Sequence, residues 1–164
     1  MTLQNPLLDF SDAPLFDRIL PEHVSPAVDA LLVDAQAALV KVTAGKFPAS
    51  WNGISAVLDV ATEKLGRAWG AVSHLNGVAD TPELRAAYNA ALPVITEFYT
   101  RLGADEALYA KYKAIDISTL NTEQKQAHKN AMRNFVLSGA ELVGAAKERF
   151  AKIVVTQQFR FFQP

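Results

Sequence analysis

No cysteine occurs anywhere in the 164-residue chain. That excludes disulfides, thiol nucleophiles and thiolate metal sites, and with them a small secreted scaffold stapled by disulfides. Histidine is nearly as scarce. His23, His74 and His128 are the only three, separated by 51 and 54 positions. There is no H-E-x-x-H helix, and Glu22-His23 is followed by Val24 and Ser25, so the inverse zinc motif is missing too. A di-metal bundle needs Glu three residues before His; Ala71 and Lys125 stand at those places before His74 and His128. Gly-rich phosphate loops, G-x-S-x-G and the dinucleotide fingerprint are likewise lacking. These absences leave no catalytic, cofactor-binding or metal-ligating residue to nominate.

Charge of one sign is lacking as well. Lys plus Arg is 16, Asp plus Glu is 17, and the net charge is −1. Neither nucleic acid nor an anionic membrane is expected as a partner. No apolar run approaches the roughly 20 residues of a membrane span. The start, Met1 to Pro6, has no basic region followed by an apolar one, so no secretory signal is read there and a cytoplasmic location is expected.

What is present is a helical pattern. Half of the residues are hydrophobic and 20% are charged, the balance of one globular domain. Residues 1–20 read as an extended arm packed on the body, because Leu7, Leu8, Phe10, Leu15, Phe16, Ile19 and Leu20 are too apolar for a free terminus. A first helix starts near Pro21. Val24, Val28, Leu31, Ala35, Leu39 and Val42 form its stripe, and Gly45 is expected as its C-cap glycine. A second runs from about Asn52 to Ala79 on Ile54, Leu58, Ala61, Leu65, Ala68, Val72 and Leu75. Gly66 and Gly70, four apart on it, suggest close approach of another helix. A third begins at Thr81-Pro82-Glu83 and carries Leu84, Tyr88, Ala91, Ile95, Phe98 and Leu102, with Pro93 expected to kink it. The second and third should form a long antiparallel pair.

A short fourth helix follows Asp105. Asn121 with Gln124 opens a fifth as a capping box, with Ala127, Ala131, Phe135 and Leu137 inward and Ser138-Gly139 at its end. A sixth runs through Ile153. The fold class is therefore all-α, an antiparallel bundle of about six helices: an arm (1–20), a helical domain (21–153) and a divergent or truncated tail (154–164). That tail, with its β-branched run and Phe159, Phe161 and Phe162, has poor helix propensity and no stripe.

Specific strings go further than periodicity. Asn5 to Leu8, Phe16 to Val24 and Pro26 to Val28 resemble the amino-terminal start of the thimet oligopeptidase family of zinc metallopeptidases, the M3 peptidases. So do Leu65 to Arg67, Val72 to Asn76, Thr81 to Tyr88, Leu92-Pro93, Leu108-Tyr109, Thr119 to Lys125, Asn130 to Gly139 and Lys147 to Ile153. The resemblance implies one wall of a deep channel that admits short peptides, around a zinc site formed much further along a longer chain. It implies no catalytic residue and no zinc ligand here, and the chain alone is expected to be inactive. The implied partners are the remainder of the parent peptidase and short peptides, with a homo-oligomer through exposed apolar surface as a further expectation. The rival reading is a free-standing helical interaction module.

Overall fold

The computed structural model describes residues 5–161, with side chains through Phe150 and at Lys152 and Ile153. The described residues are all-α, an antiparallel helical bundle with an N-terminal arm and no strand. The helices are α1 (Pro21–Thr43), α2 (Trp51–Ile54, a π-helical stretch Ser55–Asp59, then Val60–Val78), α3 (Pro82–Gly103), α4 (Glu106–Lys113), α5 (Thr122–Leu137) and α6 (Gly144–Phe161). None is long and apolar enough to cross a membrane among the described residues. The chain divides into two compact units. One holds the arm, α1, most of α2, and α3 to Phe98; the other holds Pro48–Trp51 and the chain from Tyr99 onward.

In the first unit the stripe read for α1 is buried along its whole length, from Val24 to Val42. It packs chiefly on α2, where Ile54, Leu58, Leu65, Ala68 and Val72 are buried and Leu65 is wholly sealed from solvent. The principal pair is thus α1 with α2, rather than the second helix with the third. Contact of α3 with α2 includes a flat stack of Tyr88 on Trp69, centroids 4.7 Å apart. Thr81 starts α3 as its chemistry requires: its hydroxyl accepts from the Leu84 N–H, leaving one fewer orphan donor. Arg85 pairs with Asp80 behind it. Pro93 lies inside α3, which runs on without interruption.

The arm is packed on the body but is not simply extended. Two 3₁₀ turns, Pro6–Leu8 and Phe16–Arg18, fold it. Leu7 and Ile19 are its buried anchors, while Phe16 and Leu20 stay largely exposed. Asn5 begins the first turn by accepting from the Leu7 N–H.

Two glycine expectations fail. Gly45 has no left-handed backbone, and Ala44 is the C-cap of α1. Instead the Thr43 hydroxyl donates back to the Leu39 carbonyl in the last turn. Gly70 faces open space and Gly66 is exposed, so no helix comes close at Gly70.

The second unit gathers Trp51, Tyr109, Tyr112, Phe135 and His128. Tyr112 lies 5.3 Å from Phe135 and Tyr109 lies 5.5 Å from it, ring centre to ring centre. Asp105 caps α4 by accepting from the Leu108 N–H at 2.7 Å. Asn121 and Gln124 form both halves of the expected capping box. The inward face of α5 differs from expectation. Ala127 and Leu137 are exposed, and the face turned inward is Gln124, His128, Ala131, Met132 and Phe135. Polar His128 can sit there because its Nε2 lies 2.8 Å from the Tyr112 carbonyl, a partner that offsets its desolvation.

At the end of α5, Gly139 has φ +85°. The Ala140 N–H reaches the Phe135 carbonyl and the Gly139 N–H reaches that of Val136, which is the six-to-one and five-to-two pattern of a Schellman turn. Beyond it, α6 extends through Phe161, past the Ile153 at which the sequence pattern stops. No Pro or Gly interrupts the chain between Gly144 and Phe161. Propagating a formed helix through β-branched residues costs only about 0.5 kcal/mol each, far less than nucleating one. Phe162 and Pro164 lie outside the described residues, as do the side chains of Phe159 and Phe161.

Candidate functional site

The three histidines are where metal or general-base chemistry would be sought, and each is held by a structural contact. His23 closes the first turn of α1. Its Nδ1 accepts from the Leu20 N–H at 3.0 Å. Its backbone carbonyl accepts from Asn5 Nδ2 at 2.8 Å, tying the arm to the helix start. His74 rests against Phe16 of the arm, 5.3 Å between ring centres. His128 sits beside Trp51 and Tyr112. Among the described residues no three His, Asp or Glu side chains converge in a way that could hold a metal ion.

Other polar groups serve the same joints. The Tyr109 hydroxyl donates to Glu141 at 2.6 Å, linking α4 to the turn before α6. That bond to a carboxylate, with burial, holds the Tyr109 phenol above its ordinary pKa. Lys113 lies over the same ring, 5.0 Å from its centre. Lys147 of α6 pairs with Glu106 of α4. Beneath the arm, Leu7, Phe10, Ile19, Arg67 and Ala71 border a crevice of about 10 Å³, room for no more than a water. The Asn76 Oδ1 is buried with no hydrogen-bond partner.

These positions share a character. Several of the strings singled out in the sequence fall at helix starts and ends: Ile19 to Val24 at the arm joint, Thr81 to Leu84 at a cap, Asn121 to Gln124 at another, Phe135 to Gly139 at a Schellman turn.

Residues 28–147 match the family model described as "Neurolysin/Thimet oligopeptidase, N-terminal domain". The chain belongs to the neurolysin/thimet oligopeptidase family. Oligopeptidase A of Salmonella typhimurium is 42% identical over 155 residues, which cover 92% of this chain and 23% of that protein. Oligopeptidase A of Escherichia coli is 41% identical over the same length and shares of the two chains. A probable cytosolic oligopeptidase A of Arabidopsis thaliana is 35% identical over 153 residues, 91% of this chain and 22% of its own. The chain thus spans less than a quarter of the length of these curated relatives. Within the thimet oligopeptidase family its match is to the N-terminal region, and the family-model match takes in α1 from Val28 onward and the caps of α3, α4 and α5.

Proposed function

We propose that this chain is the N-terminal helical wall of the peptide channel of a zinc-dependent oligopeptidase that hydrolyses short peptides. It contributes shape and closure, and leaves bond cleavage to residues beyond it. The observation that carries this reading is the match of 120 consecutive residues, 28 to 147, to the family's N-terminal domain. In the whole enzyme a metal-bound water would attack the peptide carbonyl, a carboxylate would take its proton, and this wall would select substrate by length. A cytoplasmic location fits that role.

The rival reading is a free-standing helical interaction module. A chimera separates the two. Residues 1–153 replace the matching N-terminal region of Escherichia coli oligopeptidase A, and chelator-sensitive hydrolysis of short peptides is measured. The channel-wall reading expects an active chimera and an inactive isolated chain. A folded chimera without peptidase activity would refute it.

A further inference from the structure

α1 is apolar on two opposite faces. One is the buried stripe from Val24 to Val42. The other consists of Pro26, Ala30, Val33, Ala37 and Val40, continued by the C-cap Ala44, all exposed, with Val33 at 68% and Val40 at 61%. Their spacing of four, three, four, three, four places them within an arc of about 80° at 100° per residue. Only four of α1's 23 residues are charged: Glu22, Asp29, Asp34 and Lys41. Asp29 borders one side of the outward stripe, and Asp34 and Lys41 border the other. A surface helix ordinarily turns one apolar face inward and a polar one outward. A helix apolar on both sides is built to lie between two neighbours, and the described chain supplies one of them.

We infer that the outward face of α1 seats a second amphipathic helix, contributed by the part of the oligopeptidase that this chain does not span. This rests on the proposed function. The relatives hold more than three-quarters of their length outside the matched region, so there is ample chain to provide it. Three of the six stripe residues are alanines, which let the occupant approach at the short end of the usual 8–10 Å between helix axes. The flanking charges ask for a basic residue opposite Asp29 or Asp34 and an acidic one opposite Lys41. Area argues against a second copy of this chain. The stripe measures about 27 Å by 10 Å, under about 300 Å² of face, whereas a stable interface between separate chains needs about 800 Å² from each. A helix tethered in the same polypeptide needs far less, because its effective concentration is high.

The absence of native cysteine makes the test direct. Val33→Cys and Val40→Cys are made singly in the isolated chain and in the chimera described above, and their rates of reaction with a maleimide are compared. The unsubstituted chimera provides the background rate. In the isolated chain both thiols should react as exposed thiols. In the active chimera both should be slowed at least about tenfold, the protection that a docked helix gives. Equal rates in an active chimera overturn this inference and leave the proposed function standing. A folded, inactive chimera defeats both. Protection in the isolated chain that rises with its concentration shows a second copy on the face and overturns the occupant named here.

Discussion

Replacing Gly139 by Ala should destabilise the second unit, whereas the same change at Gly70 should not harm the first. Gly139 has φ +85°, a conformation that costs a residue with a Cβ roughly 1–2 kcal/mol. The added methyl would also stand 3.0 Å from Phe150 Cδ1 and 3.1 Å from Leu142 Cδ1. Those side chains must shift, and crowding of this kind typically adds about 1 kcal/mol or more. The expected loss is therefore about 2–3 kcal/mol, the sum of strain and crowding. Gly70 is an exposed mid-helix glycine with nothing within 4 Å of a built Cβ. Alanine there should stabilise by about 0.5–1 kcal/mol, because the unfolded chain loses freedom. The chain has two tryptophans, and they divide between the units: Trp51 in the second, Trp69 in the first. In a Trp69→Phe background, urea unfolding followed by fluorescence reports the second unit through Trp51. A Trp51→Phe background reports the first. A neutral Gly139→Ala, or a Gly70→Ala that destabilises, would refute the reasoning.

Leu65→Ala removes a wholly buried side chain of α2 and should cost about 2–5 kcal/mol, read by Trp69 fluorescence in urea. Asp116 accepts from both the N–H and the hydroxyl of Ser118, and these bonds hold its carboxyl below the ordinary value. With the folded pKa depressed, its contribution is present above the unfolded carboxylate pKa and is lost as pH falls through the lower folded one. Asp116→Asn should therefore shrink the acid-side loss of stability without steepening it, as measured by thermal melts across the acid range. Glu141→Gln removes the carboxylate that raises the Tyr109 phenol, so ultraviolet titration should show one tyrosine ionising at lower pH than before. No change in that titration would mean the bond does not form in solution.

Helix starts were legible because capping is local chemistry. Thr81-Pro82, Asp105 and Asn121 with Gln124 each announce a start within four residues, and each makes the expected bond. Ends were less so. Gly45 and Gly139 look alike in the sequence, each following a periodic run, yet only Gly139 turns left-handed. The difference depends on where the chain must go next, which is a tertiary matter. The face of α5 was misread for a related reason. Hydrophobicity favoured Ala127 and Leu137, but the carbonyl of Tyr112, supplied by another helix, makes His128 the residue that fits inside. The π-helical turn in α2 left no mark either. There the Val60 N–H bonds to the Ser55 carbonyl five residues back, and such a bulge breaks no capping or propensity rule. For a site the sequence offers chiefly absences, of cysteine and of paired histidine, together with strings of which several form helix caps and turns.

Trp51 belongs by contact to the second unit although the residues on both sides of the segment Pro48–Trp51 belong to the first. Its ring partners Tyr112 and His128 follow it by 61 and 77 positions. On a ribosome adding about 5–20 residues per second, this indole is made roughly 4–15 s before His128 exists. For that interval the emerging polypeptide carries a large apolar ring without its ring partners, while the rest of the first unit, Asn52 to Phe98, is still being made.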